Sequence, residues 1–126
     1  MKLLVAVTLA GLVAGAGLNG SAQAQSQSQT IVVWSYGFSP RPIQLVAGRE
    51  VTLIFTNRSG SSHDFTASAF FANSAISAGD VRGGKIELGP HSTKSVTLVP
   101  KSGTYEAHCS HLFHREMGMS ASILVE

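Results

Sequence analysis

The last quarter of the sequence concentrates side chains that bind soft metal ions. Cys109 is followed by His114 and then by Met119, so a thiol, an imidazole and a thioether recur at intervals of five residues. Cys109 is also the only cysteine among the 126 residues, and it therefore cannot form an intramolecular disulfide. A leftover cysteine is typical of a reactive thiol, an intermolecular bridge or a metal ligand. Its neighbours favour the metal ligand.

Strand periodicity predicts that these three side chains converge. Alternate residues of a β-strand share a face, so Cys109 points to the same side as Ala107, and Met119 points to the same side as Ala121. Both sides are expected to face the interior of a sandwich. His114 lies in the loop that joins the two strands. We therefore expect a thiol, an imidazole and a thioether to meet at one end of the domain.

A fourth donor comes from earlier in the chain. His63 follows a turn rich in Ser and Gly over 57–62, and a sandwich can place such a loop beside the end of the Cys109 strand. Two imidazoles and one thiolate form a trigonal set, to which a thioether adds a weak axial bond. This set suits copper in both oxidation states and is typical of one-electron transfer. The sequence predicts one copper ion, Cu(I)/Cu(II), bound by His63, Cys109, His114 and Met119.

Two nearby residues compete for the same roles. His111 is an alternative to His114, but it lies only two residues after Cys109, and that spacing is too short for the same geometry. It can instead be a surface residue or a group that supports a ligand. Met117 is an alternative to Met119, whose spacing and inward face favour it. His111 and Met117 remain open as alternatives at this point.

The elements that must position these residues are short strands. Apolar and polar residues alternate over 51–56, which predicts a half-buried strand. Similar segments, separated by turn residues, are found over 31–36, 43–47, 85–88, 93–99, 104–109 and 120–125. Residues 68–75 instead contain helix formers after Ser68, a residue type that can cap a helix, and a loop follows over 76–84. The pattern predicts an all-β fold, an antiparallel Greek-key β-sandwich with one short helix.

The first residues are typical of a targeting segment. A basic residue precedes an apolar stretch over 3–18, and the alanines at 22 and 24 provide an A-x-A cleavage site. The stretch is short for a membrane span of about 20 residues, and glycines interrupt it. We predict a signal peptide over 1–24, a polar leader over 25–29 and one domain over 30–126. The mature protein is expected in the periplasm, with no stable membrane insertion.

Charge and side-chain chemistry exclude several classes of function. Removing Lys2 from the nine basic residues leaves eight against seven acidic residues, so the mature net charge is near +1. No run of Lys and Arg is present, which disfavours nucleic acid as a partner. The carboxylates are scattered and no Ser-His-Asp arrangement stands out, so we do not expect an enzyme. A monomer is expected.

The pattern Cys-x4-His-x4-Met before a strand, with an earlier histidine after the segment 55–57, resembles the cupredoxin family of plastocyanin and azurin. Segments 38–48 and 100–105 are similar to the opening strands of such domains and to the strand that leads into the cysteine. The resemblance covers residues 30–126. It implies an eight-stranded sandwich, one type 1 copper and electron transfer between redox partner proteins. The family's ligand positions fall on His63, Cys109, His114 and Met119.

The sequence departs from the family at three places, which are Asp64, the additional histidines His108 and His111 around Cys109, and the insert over 67–84. Asp64 follows His63, where many members have Asn. In the family the backbone N–H at this position often supports the cysteine sulfur, and we expect this support to survive because it needs only the backbone. The insert over 67–84 also differs from the best-known members, and a change there can reshape a partner surface.

Three other functions compete with electron transfer. A copper storage or delivery protein would use the same ligands, but the methionine-rich stretches that would support it are absent. A metal-free binding module would make the pattern of donors an accident. The segment 108–111 partly resembles the His-Cys-His segment of multicopper oxidases. However, Ser110 stands where their second histidine would be, and one small domain cannot supply a trinuclear cluster.

Overall fold

Residues 27–126 are described by the computed structural model, so the predicted signal peptide over 1–24 lies outside the described residues. The described residues form ten strands and one short helix. In chain order these are β1 (Gln27–Trp34), β2 (Gly37–Ser39), β3 (Ile43–Leu45), β4 (Val51–Asn57), β5 (His63–Thr66), α1 (Ser68–Ala72), β6 (Ser74–Ala78), β7 (Lys85–Leu88), β8 (Thr93–Pro100), β9 (Gly103–His108) and β10 (Ser120–Val125). Strand β1 thus begins three residues before the predicted domain boundary at residue 30.

The strands form two five-stranded sheets around one core. The first sheet has the order β2-β1-β4-β8-β6, and the second has the order β3-β10-β9-β5-β7. Buried side chains from both sheets form a single cluster, which includes Phe55 and Leu98 from the first sheet and Phe65 and Ile123 from the second. The predicted all-β sandwich with one short helix is confirmed. It has ten strands where the family resemblance implies eight.

Sequence periodicity explains why β4 is a central strand. Val51, Leu53, Phe55 and Asn57 are buried, and the residues between them are half-buried. This alternation is expected of a strand with one face on the core and the other partly covered. Burial of the apolar face is the main source of stability for such a strand.

Phenylalanine packing fixes the strand that carries His63. Phe65 lies two residues after His63, so both side chains point to the same side of β5. The Phe65 ring lies 4.7 Å from that of Phe55 and 5.5 Å from that of Phe38, measured between centroids. Aromatic pairs at these separations add to the stability gained from burial. The core therefore holds β5 in place and turns His63 inward.

Two strand pairings differ from the antiparallel pattern that the sequence predicts. Strands β1 and β4 run parallel, with Gln27 opposite Val51, and strands β3 and β10 are also parallel. The chain passes from β1 through β2 and β3 before it reaches β4, and β3 belongs to the other sheet. A parallel pair requires such a crossover, whereas a short turn can join only antiparallel strands.

The segment after β5 also differs in detail from its prediction. Helix α1 is shorter than the predicted 68–75, and the predicted loop over 76–84 contains most of edge strand β6, which pairs with β8. Strand β6 is largely exposed, so no alternation of apolar residues marks it in the sequence. Phe70 and Phe71 are buried, as expected of packing groups. No helix among residues 27–126 is long and apolar enough to span a membrane.

Core packing predicts a sharp contrast between two leucines. Leu98 on β8 is fully buried, whereas Leu112 is 78% exposed. Leu98→Ala should lower the free energy of unfolding by about 2–5 kcal/mol, because it leaves a cavity. The matched control Leu112→Ala should change it by less than about 0.5 kcal/mol. Urea unfolding of the metal-free protein measures both values, and equal losses in the two variants would contradict the assigned core.

Candidate metal centre

The pairing of β9 with β10 brings Cys109 and Met119 together. The strands are antiparallel, with Ala107 opposite Ala121 and His108 opposite Ser120. One step further, the backbone N–H of Cys109 donates to the carbonyl oxygen of Met119 at 3.1 Å. Both side chains are fully buried. The ladder therefore ends at two inward-facing sulfur residues.

Successive turns fold the intervening loop back over Cys109. The backbone N–H of His114 donates to the carbonyl of His111 at 3.1 Å, and that of Met119 donates to the carbonyl of His114 at 3.1 Å. Gly118 has φ +100°, a conformation that a side chain would strain, and it precedes Met119 directly. These bonds place His114 beside Cys109.

Three donor atoms form a compact triangle. His63 Nδ1 lies 3.1 Å from His114 Nδ1, and Cys109 Sγ lies 3.4 Å from His114 Nδ1 and 4.0 Å from His63 Nδ1. Metal–nitrogen and metal–sulfur bonds of about 2.0–2.3 Å would separate donors in a trigonal plane by about 3.5–3.8 Å. The observed separations bracket this range. The donor set therefore fits the trigonal copper arrangement that the sequence predicts.

The β1–β2 turn orients the first imidazole. Ser35 Oγ lies 2.9 Å from His63 Nε2, which leaves Nδ1 directed at the triangle. The ring of Tyr36 packs edge-on against both imidazoles, at 5.0 Å from His114 and 6.2 Å from His63. Supporting contacts of this kind fix the tautomer and the orientation of a metal-binding histidine. Ser35 and Tyr36 were not predicted as part of the site, because the sequence placed both in a strand over 31–36, whereas the structure places them in the turn between β1 and β2.

Burial shifts the pKa values of His63 and Cys109, and in both residues it favours the neutral form. It lowers the pKa of His63, and the neighbouring imidazoles of His114 and His111 lower it further, against the opposing effect of Asp64. His63 thus favours the neutral form, which is the form that binds a metal. Burial also raises the pKa of the Cys109 thiol, against the effect of backbone N–H donors. Metal binding must therefore displace a proton from the sulfur.

Asp64 ties the start of the loop to β5. Its backbone N–H lies 3.4 Å from Cys109 Sγ, so the support expected for the sulfur is confirmed. Its buried carboxylate accepts from the backbone N–H of Ser110 at 2.8 Å and from Thr66 Oγ1 at 2.8 Å. Ser110 Oγ also donates to Oδ2 of the same carboxylate. One residue thus contacts both the sulfur and the chain beyond it.

Neither of the two rival residues belongs to the triangle of His63, Cys109 and His114. Met117 is exposed, whereas Met119 is buried. The His111 imidazole contacts two carboxylates, with Nε2 3.2 Å from Glu87 Oε2 and 3.6 Å from Asp64 Oδ2. Among the described residues, one close group of donors contains His63, Cys109 and His114, and a second contains Asp64, Cys109 and His111. The structure therefore places His111 beside the site, in contact with a carboxylate.

Comparison with known proteins agrees with this geometry. A family model described as a cupredoxin-like domain matches residues 3–125. The chain belongs to the cupredoxin-like domain family. No curated protein matches its sequence significantly.

Solved structures share the fold of this cupredoxin-like chain. Auracyanin B is 19% identical, with a TM-score of 0.60 over 79% of this chain and 88% of its own. Dithionite-reduced auracyanin from Roseiflexus castenholzii is 18% identical, with a TM-score of 0.60 over 80% of this chain and 98% of its own. The multicopper oxidase McoA from Aquifex aeolicus is 14% identical, with a TM-score of 0.64 over 81% of this chain but only 30% of its own.

The contact between Ser35 and His63 predicts a measurable loss of metal affinity. Ser35→Ala removes the partner of His63 Nε2 and frees the imidazole to rotate, which should weaken copper binding by about 10- to 100-fold. Ser28→Ala, on an exposed part of β1, serves as the control and should bind copper as the parent does. Competition titration with a chelator measures both affinities. Equal affinities would show that Ser35 does not orient the ligand.

Proposed function

We propose that this cupredoxin is a periplasmic electron carrier that moves one electron at a time through a single type 1 copper site. The observation that carries the proposal is the triangle of His63 Nδ1, Cys109 Sγ and His114 Nδ1 at one end of the sandwich. Copper bound there supplies a Cu(I)/Cu(II) couple, and the buried thioether side chain of Met119 would complete the set. Periplasmic location rests on the predicted signal peptide.

The residues around the site restrict its rearrangement. Cys109 is held by the β9–β10 ladder and by the Asp64 N–H, and His63 is held by Ser35. A donor set that keeps one shape in both oxidation states suits rapid electron exchange. This supports a carrier over a storage or delivery protein, which would use the same ligands but must release the ion.

Coverage of the solved structures also supports a carrier over an oxidase. The chain spans most of each auracyanin, but only about a third of the multicopper oxidase McoA. An oxidase activity would thus require domains that this sandwich does not contain. We infer that the protein is not itself an enzyme.

Three exposed apolar residues share a loop with the partly exposed His114. Leu112, Phe113 and Met117 are all exposed, and all lie on the loop that carries this histidine. Exposed apolar patches commonly mark interaction sites. We propose that redox partner proteins dock on this loop, which would place them in contact with the imidazole of His114. Nucleic acid is not proposed as a partner, since the net charge is low.

The proposed copper site predicts a thiolate-dependent colour. The mature protein with one equivalent of Cu(II) should show an intense blue band that disappears on reduction, and Cys109→Ser should lack it because the thiolate produces it. His91→Ala, at an exposed turn, is the control and should keep the band. A visible absorption spectrum of the parent and of each variant measures the intensity of this band. A weak band that is unaffected by Cys109→Ser would instead favour copper handling through the histidines.

The proposed docking surface predicts a change in electron self-exchange between two molecules of the protein. Leu112→Glu places like charges across the contact of two patches, which should slow self-exchange by at least about tenfold while the blue band remains. Val46→Glu is the matched control, because Val46 is exposed and follows β3 at the opposite end of the sandwich. Line broadening in NMR spectra of mixed oxidation states measures the rate. Equal slowing in both variants would contradict docking through this loop.

A further inference from the structure

The carboxylate of Asp64 is a buried negative charge beside the proposed copper ligands. Its side chain is fully buried, and one of its oxygens lies within 4.8 Å of Cys109 Sγ. In the part of the chain that the structure describes, no Lys or Arg pairs with this carboxylate. The His111 imidazole lies 3.6 Å from Oδ2, but it also lies 3.2 Å from the carboxylate of Glu87. Asp64 thus brings negative charge close to the sulfur.

Hydrogen bonds stabilise this charge and fix its position. Oδ1 accepts from the backbone N–H of Ser110 at 2.8 Å and from Thr66 Oγ1 at 2.8 Å, and Oδ2 accepts from Ser110 Oγ. An ionised carboxylate can only accept, which matches these three donors. Bonds to a charged acceptor are strong and offset the cost of burying it. The carboxylate is therefore held between β5 and the chain that follows β9.

We propose that the carboxylate of Asp64 lowers the reduction potential of copper bound at the proposed site. Cu(II) carries one more positive charge than Cu(I), so a nearby negative charge favours the oxidised state. Charges at such short range interact strongly inside a protein, where the effective dielectric constant is well below that of water. The proposal rests on the proposed function, because it concerns the same copper site.

Asp64 also positions the chain next to the sulfur. Ser110 follows Cys109 directly, so the bond from its backbone N–H to Oδ1 restrains the start of the loop. The backbone N–H of Asp64 itself lies 3.4 Å from Sγ. A test of the charge must therefore remove it without releasing the loop.

Asp64→Asn removes the charge and keeps the shape of the side chain. The amide oxygen can accept both bonds that Oδ1 accepts, and the amide nitrogen can donate to Ser110 Oγ. The midpoint potential should rise enough to shift the Cu(II)/Cu(I) equilibrium at least about tenfold towards Cu(I), which is about 59 mV for one electron. Redox titration of the copper-loaded protein at one fixed pH, followed by the blue band, measures this shift.

Two control variants separate the charge from other effects. Glu50→Gln makes the same change in net charge at an exposed position before β4, whose other end leads towards His63. Solvent and salt screen such a charge, so the equilibrium should shift by less than about twofold. Ser110→Ala removes a hydrogen bond to Oδ2 but leaves the negative charge in place, and it should not raise the potential.

Hydrogen exchange in the metal-free protein tests the positioning role without copper. The backbone amide of Ser110 should exchange at a similar rate in the parent and in Asp64→Asn, since both provide an acceptor. In Asp64→Ala it should exchange at least about tenfold faster, because the acceptor is lost. An unchanged rate in Asp64→Ala would show that this carboxylate does not hold the loop.

Two results would overturn the proposed effect of the charge. One is an equal midpoint potential in the parent and in Asp64→Asn when both show the blue band. The other is an equal rise in Glu50→Gln, which would indicate a general effect of net charge. Failure of the proposed function is a different result, because a parent protein without a blue band would contradict the copper site itself. A blue parent whose potential Asp64→Asn does not raise contradicts only the role of Asp64.

Discussion

Pairing of β9 with β10 is the constraint on which the metal centre depends. The ladder fixes the separation of the two strands, and its last hydrogen bond runs from the Cys109 N–H to the Met119 carbonyl. The loop between β9 and β10 must therefore begin and end at neighbouring points, at Cys109 and Met119. The turns inside the loop therefore determine the position of His114, whereas the ladder determines those of Cys109 and Met119. A slip of one residue in the β9–β10 register would turn Cys109 away from the core and dismantle the donor set.

Asp64 links the other half of the site to this pairing. It belongs to β5, whose inward face is fixed by the packing of Phe65, and it contacts both the sulfur of Cys109 and the backbone of Ser110. The packing of Phe65 and the polar contacts of Asp64 thus both fix the position of β5 relative to Cys109. A carboxylate at this position also brings negative charge close to the donors, which an amide would not.

The parts of the site that could be predicted from sequence are those encoded by local spacing. Cys109, His114 and Met119 follow one another at fixed intervals, and strand alternation turns two of them inward. Ser35 and Tyr36 could not be predicted, because they reach the site through a turn that is remote in sequence. The parallel pairings of β1 with β4 and β3 with β10 depend on the path of the chain between sheets, which periodicity does not encode. Edge strand β6 lacks a buried face and so leaves no pattern.

The burial of Cys109 also affects how readily its thiol is oxidised in the metal-free protein. An unpaired thiol in an oxidising compartment is at risk of sulfenic acid formation and of coupling to other thiols, and both reactions require the thiolate and access to it. Cys109 is fully enclosed, and its raised pKa favours the protonated form. Burial would therefore protect this thiol from oxidation before any metal binds to it. The same burial would slow metal binding, because a metal ion that binds Cys109 would have to displace the proton of a thiol whose pKa is raised.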